Sequence, residues 1–239
     1  MRKFGLIGKQ LGYSFSPEYF SKKFENASIV DAEYKAYELD SVEAFLDLIS
    51  DELVGLNVTI PYKESVIPYL DELDSSALDV MAVNTIKNLN GVLCGYNTDT
   101  FGFEKSLLQL LGDSRPERAL ILGSGGASKA VQFVLERLQI SFDVVSRSGV
   151  LNYDKLNAEL ISKCQLLVNT TPLGTYPNVE ECPSISYEGI GSNHFVFDLI
   201  YNPEKTLFLK RAEAQGAKIS NGHQMLIFQA EKSWEIWNQ

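Results

Sequence analysis

Cysteine and histidine are scarce here, with three cysteines and two histidines among 239 residues. Cys94, Cys164 and Cys182 are odd in number, far apart and without a Cys-x-x-Cys pair. That spacing excludes a disulfide framework and a zinc site and fits a reducing compartment. His194 and His223 show no His-Glu-x-x-His spacing, so no histidine-based metal centre is expected. Any catalysis must fall to other groups. Positive charge is also short, 21 Lys and Arg against 31 Asp and Glu, for a formal net charge of -10. A nucleic-acid binder neutralises phosphates with clustered cations, so that class is excluded. An acidic chain that takes an anionic ligand has to hold it with local positive groups. No run of about 18 apolar residues occurs, so no membrane span is expected. The first apolar stretch, Phe4 to Ile7, breaks at Gly8, Lys9 and Gln10, unlike a secretory signal. The expectation is a cytoplasmic protein acting on small molecules, with neither membrane nor nucleic acid as a partner.

What is present is a chain that is 45% hydrophobic, enough for one large core or two modest ones. Phe4 to Ile7 reads as a buried strand, followed by a Gly/Ser-rich loop to Ser16 and a helix opened by Pro17. Glu33 to Leu39 reads as a strand, Val42 to Ile49 as a helix and Gly55 to Ile60 as a strand. From Thr98 the residues Phe103, Leu107, Leu110 and Leu111 recur at helical spacing until Gly112 ends the run. Ala119 to Leu122, Phe142 to Val145, Cys164 to Asn169 and Phe195 to Leu199 then read as strands alternating with helical patterns. That alternation predicts an α/β fold with a parallel sheet. His223 to Trp237 reads as one apolar helix.

The segment Gly123-Ser124-Gly125-Gly126-Ala127-Ser128 follows a strand and opens a helix, where a dinucleotide fingerprint belongs. Gly123 permits the tight turn and Gly125 clears the way for a pyrophosphate, which the helix N-terminus attracts. The third glycine position holds Ser128, and the alternative reading is a plain turn. About 20 residues on, an NAD enzyme would carry an acidic side chain for the ribose. Here the strand ends Ser146-Arg147-Ser148. An arginine with flanking hydroxyls suits a 2′-phosphate and favours NADP, with NAD as the weaker alternative. A solvated surface arginine is the other reading.

Short constellations in the first hundred residues also carry chemistry. Ser14 and Ser16 put two hydroxyls beside a helix start, which suits a carboxylate, although N-capping would satisfy Ser16. Asn57 and Thr59 alternate with Val58 on a strand and so share one face, as a solvated sheet edge also would. Lys63 is expected in the first turn of a helix, where the macrodipole opposes a cation and makes its proton easier to lose. Asp99, after Asn97-Thr98, is either an N-cap or a catalytic carboxylate.

Taken in order, seven segments resemble the shikimate dehydrogenase family over essentially the whole chain. They are Ser14-Phe15-Ser16-Pro17, Asn57 to Lys63, Ala82 to Thr85, Asn97 to Asp99, Gly123 to Ser128, Asn169 to Gly174 and Gln224 to Ala230. The resemblance implies reversible, NADP-dependent reduction of 3-dehydroshikimate to shikimate, in the chorismate route to aromatic amino acids. It implies a Lys63/Asp99 proton-transfer pair and substrate binding by Ser14, Ser16, Asn57, Thr59, Asn84, Tyr201 and Gln229. Beside the glycine loop it places Thr170, Thr171 and Gly222 against the cofactor. It also implies two α/β domains, a discontinuous substrate domain of residues 1-100 and 222-239 and a Rossmann-type domain of residues 101-221. Substrate and cofactor would meet in the cleft between them, in a monomer or homodimer.

There are departures from the family pattern. Ser146-Arg147-Ser148 stands for Asn-Arg-Thr, Gly149-Val150-Leu151 stands where a second basic residue often follows, and Thr175 replaces a Met. The rival readings are a quinate/shikimate dehydrogenase and a non-catalytic, metabolite-sensing member of the fold. Ser16 and Arg147 lean away from the first, and retention of both Lys63 and Asp99 leans away from the second.

Overall fold

A computed structural model describes residues 1–12 and 14–239. The chain divides into two compact units, Met1–Thr98 with Gln229–Gln239, and Asp99–Phe228.

In the first unit, β1 (Arg2–Gly8) lies between β2 (Ala32–Glu38) and β3 (Leu53–Val58), and both pairings are parallel. Parallel neighbours need a crossover, and α1 (Phe15–Asn26) supplies the first of them. The segment expected to be an α-helix over Val42–Ile49 is instead a six-residue 3-10 helix, Glu43–Leu48. After α2 (Tyr62–Ser65), β4 (Glu72–Leu73) and α3 (Ser75–Leu78), the strands β5 (Thr85–Leu89) and β6 (Val92–Tyr96) form an antiparallel hairpin. The sequence reading did not anticipate that hairpin, although its signal is present. Asn90 and Gly91 take φ of 54° and 96°, the left-handed pair that a tight two-residue turn requires. The resulting sheet, β2-β1-β3-β5-β6-β4, is mixed. Its two faces are covered separately, Ile7 and Leu56 packing with Phe45 on one and Phe4 with Phe20 and Trp237 on the other.

The second unit is built from α4 (Asp99–Leu111), β7 (Arg118–Leu122), α5 (Gly126–Arg137), β8 (Ser141–Val145) and α6 (Ala158–Ser162), then β9 (Leu166–Asn169), β10 (Phe195–Asp198), α7 (Leu207–Ala214), β11 (Lys218–Ser220) and the start of α8 (His223–Trp237), as far as Phe228. All pairings in its sheet, β11-β10-β9-β7-β8, are parallel. Ala119 to Leu122 explain the continuous apolar run of the sequence. Ala119 and Ile121 enter one core, Leu120 and Leu122 the other, and all four have 0% exposure. Burying each larger side chain stabilises the fold by about 1.5–3 kcal/mol. From β7 the chain steps to β8 on one side and to β9 on the other. The carboxyl ends of β7 and β9 therefore open a crevice at a topological switch point.

The crossover expected inside the helix after Thr98 falls at its first residue, Asp99, and the return falls at Gln229 rather than at 222. The second difference has a packing cause. Met225 enters the core of the second unit, whereas Ala230 and Trp237 enter that of the first, so α8 divides along its length. Among the described residues no helix is long and apolar enough to cross a membrane.

Candidate active site

The crevice holds a cavity of about 440 Å³ lined by Gly123, Ser124 and Gly125 on one side and by Thr170, Thr171, Pro172 and Leu173 on the other. Gly123 has φ of 112°, and an added Cβ would stand 2.6 Å from Thr170 Oγ1, so the turn admits only glycine. Gly125 is different. A Cβ there would meet no atom within 4 Å, so the space in front of it is open to a ligand. Gly125 precedes α5, whose first amides lack intrahelical acceptors and carry the positive end of the helix dipole. These features fit a nucleotide pyrophosphate. Ser128, at the third glycine position, is fully buried and accepts from Gln132 Nε2 at 3.0 Å, so a small side chain is accommodated there.

Ser146 and Arg147 also line this cavity, with Tyr153, which the sequence reading missed. Gly126 and Ala127 belong to the first turn of α5 and Ser148 to an exposed loop, and none of the three lines the cavity. The loop after β8 is closed on itself, Ser146 N–H donating to the Leu151 carbonyl at 3.2 Å and Lys155 Nζ to the Val150 carbonyl at 2.7 Å. That closure returns Tyr153 to the cavity. Burial pushes its phenol up and the Arg147 charge pulls it down, with burial dominant, so it stands as a neutral hydroxyl. A lone tyrosine in a short polar tract was the only sequence signal.

Behind the Thr170 wall lies a buried polar chain. Asp198, with 0% exposure, accepts from Thr206 Oγ1 at 2.6 Å, Ile200 N at 3.1 Å and Asn169 Nδ2 at 3.0 Å. Burial nevertheless dominates and raises its carboxyl from 3.8 to about 6. A carboxyl raised in the folded state holds its proton more tightly there than in the unfolded chain. Its contribution to stability is therefore complete below pH 3.8 and is lost as pH rises through about 6. Asp198→Asn should remove this titration. Relative to the variant, the wild type should lose on the order of 2 to 3 kcal/mol of unfolding free energy across that window, as measured by urea unfolding of both proteins. Parallel curves would refute the assignment.

In the first unit, Asn57 and Asn84 meet in one buried network. Asn57 Oδ1 accepts from Tyr34 Oη at 2.8 Å, and its Nδ2 lies 3.0 to 3.2 Å from Ser233 Oγ, Thr85 Oγ1 and the Asn84 carbonyl. Asn84 Nδ2 donates to Thr98 Oγ1 at 3.0 Å, and Thr98 N to Asn84 Oδ1 at 2.7 Å. Thr98 Oγ1 also reaches Gln229 Oε1 at 3.4 Å. Tyr34 donates to Asn57 as a neutral hydroxyl, its phenol raised strongly by burial, and the buried Ser16 lies near it. The network thus joins Asn57, Asn84 and Gln229. Tyr34, Thr85, Thr98 and Ser233 were missed. The signal for Ser233 was its spacing four residues after Gln229, which puts the two on one face of the last helix.

Several local expectations are corrected. Helix α1 starts at Phe15 with Ser14 as the preceding residue, so Ser16 is a buried helical residue and not an N-cap. Pro17 tolerates this because the first amides of a helix are unbonded anyway. Strand β3 is flanked on both sides by strands, so Asn57 is not on a solvated edge. It ends at Val58, leaving Thr59 beyond the strand and partly exposed, so the two do not share a strand face. Lys63 sits second in a helix of only four residues, too short for the dipole argument to carry weight. Asp99 is the first residue of α4 rather than the residue before it.

Tyr201, whose phenol burial pushes up, lines a second cavity of about 380 Å³ with Glu204, Asn221, His223 and Gln224. Gly222 has a packing reason of its own. A Cβ there would come within 2.0 Å of the Leu199 carbonyl oxygen.

The model of the shikimate dehydrogenase substrate binding domain matches residues 6–86. A shikimate dehydrogenase (NADP(+)) of Caldanaerobacter subterraneus subsp. tengcongensis is 40% identical, across 98% of this chain and 90% of its own length. The chain belongs to the shikimate dehydrogenase family. Among solved structures, the Thermus thermophilus shikimate 5-dehydrogenase in complex with NADP(H) and shikimate superposes with a TM-score of 0.86 at 29% identity, covering 99% of this chain and 93% of that one. A Corynebacterium glutamicum quinate dehydrogenase in complex with NAD gives a TM-score of 0.87 at 25% identity, with the same coverage of 99% and 93%. The shikimate dehydrogenase fold therefore does not by itself separate the two cofactors.

Proposed function

We propose that this protein is an NADP-dependent shikimate dehydrogenase that interconverts 3-dehydroshikimate and shikimate. The observation that carries the reading is the Asn57 to Lys63 segment, joined to Asn84 by one buried hydrogen-bond network in a chain of this family. When bound, the nicotinamide supplies or accepts the hydride. The chain itself binds and orients the ring and moves a proton at the oxygen that changes between carbonyl and hydroxyl. Lys63 and Asp99 carry that proton as a unit. Ser14 and Ser16 take the carboxylate, and Thr59, Asn84, Tyr201 and Gln229 take ring hydroxyls. Asn57, with its amide already bonded on both sides, holds Tyr34 and Asn84 in place. On the cofactor side, the glycine loop and the first amides of α5, Gly123 to Ala127, receive the pyrophosphate, Ser146 and Arg147 the 2′-phosphate, and Thr170, Thr171 and Gly222 frame the nicotinamide half.

Mixing the protein with shikimate and NADP should raise absorbance in the reduced-nicotinamide band. Quinate in place of shikimate should give much less, and silence with both substrates would favour the non-catalytic, sensing reading. Arg147 is the one cation among the described residues that line the cavity, so its charge-assisted contact should favour NADP by about one to two powers of ten. Arg147→Ala should weaken NADP binding by that factor and leave NAD binding nearly unchanged, as read by direct titration of each nucleotide. An unchanged ratio of the two dissociation constants would move 2′-phosphate recognition elsewhere.

A further inference from the structure

The two threonines that line the cavity below β9 have their hydrogen-bond roles set from behind. Thr170 Oγ1 donates its proton to the Leu122 carbonyl at 2.9 Å. Asn169 Oδ1 accepts from Thr171 N at 3.0 Å and from Thr171 Oγ1 at 2.7 Å. The amide of Asn169 cannot be reversed, because its other end donates at 3.0 Å to the Asp198 carboxylate, which has no proton to offer when ionised. Asp198 is in turn fixed by Thr206 Oγ1 and Ile200 N. The Thr171 hydroxyl proton is therefore committed inward, while one lone pair receives Leu173 N at 3.3 Å. Thr171 is among the residues that line the cavity, and any hydrogen bond its hydroxyl makes to a ligand there has to use the remaining lone pair.

We propose that Asp198, acting through Asn169, is a positioning residue that leaves Thr171 able to meet a bound nucleotide only as an acceptor, from its hydroxyl or amide donors and not from its phosphates. The inference rests on the reading of this cavity as the nicotinamide-cofactor site. Its consequence is a cavity divided by polarity. Backbone donors at the start of α5 face the anionic part of the ligand, and acceptor oxygens on the Thr170–Thr171 wall face ribose hydroxyls or the carboxamide. A dinucleotide laid in reverse would set phosphate oxygens against acceptors, so the wall helps to choose one orientation.

The test is titration with NADP and competition by inorganic pyrophosphate, in the wild type and in Thr171→Val, Thr171→Ser and Asp198→Asn. Loss of one neutral hydrogen bond should raise the dissociation constant for NADP roughly three- to tenfold in Thr171→Val. Thr171→Ser, which keeps the hydroxyl, should restore it to near the wild-type value. Asp198→Asn should fall between the two, because an amide holds Asn169 less strictly than a carboxylate does. Pyrophosphate should compete equally well in all four proteins. Weaker pyrophosphate binding in Thr171→Val would mean that the wall donates to phosphate and would overturn the proposal. So would a serine variant as impaired as the valine one, since packing and not the hydroxyl would then be responsible. A wild type that binds neither NADP nor NAD would instead defeat the cofactor reading itself.

Discussion

Lys63→Ala is expected to lower kcat by about two to four powers of ten while the KM for shikimate changes little, as for a group that acts mainly in the transition state. The place of the residue in the fold supports this. Lys63 lies in α2, five residues after the end of β3, is partly buried, and its carbonyl accepts from Val83 N at 2.7 Å. Val58 N in turn donates to the Asn84 carbonyl at 2.9 Å. The backbone of Lys63 is thereby tied to the segment that carries Asn84, so the short helix is fixed at its second residue. Steady-state kinetics in the shikimate-oxidising direction are the check. A variant with near wild-type kcat would remove Lys63 from proton transfer and leave Asp99 to act alone.

The second large effect concerns stability. Gly222→Ala would place a methyl 2.0 Å from the Leu199 carbonyl oxygen, and its next neighbours, 2.6 and 3.2 Å away, are also backbone atoms of Leu199. No flexible side chain can yield there. Gly222 N also donates to the Ile200 carbonyl at 3.0 Å, which holds the two backbones together. Forcing them apart should cost about 3 kcal/mol or more. For a chain of this size that is a fall of roughly 6 to 12 °C in the unfolding midpoint. Differential scanning fluorimetry of both proteins without ligand measures it. The ligand-free measurement matters because a glycine needed only for cofactor approach would lower nucleotide affinity and leave the unliganded midpoint where it was.

Much of the second unit was legible in the sequence because both of its signals are local. A parallel strand buried on both faces reads as an unbroken apolar run, as Ala119 to Leu122 do. A helix with one apolar stripe keeps its spacing, and the expected bounds of α8 are those observed. The glycine loop was legible for the same reason, since a turn with φ of 112° at Gly123 leaves few residue choices. The first unit was read less well. Its hairpin strands β5 and β6 carry polar residues such as Lys87 and Asn88 and alternate weakly, and only Asn90-Gly91 marked the turn between them.

Residue identities along the chain were enough to mark candidate groups: serines beside a helix start, a lysine after a strand, glycines before a helix and an arginine at the next strand end. Those are one-residue properties, read without knowing what lies across the fold. The partners of each group are another matter. That Asn57 is enclosed by Tyr34, Thr85 and Ser233, and that Asp198 is joined to Thr171 through Asn169, both depend on residues distant in sequence. A hydrogen bond has a direction and a length, and both are fixed only when the two segments that carry donor and acceptor have been packed against each other.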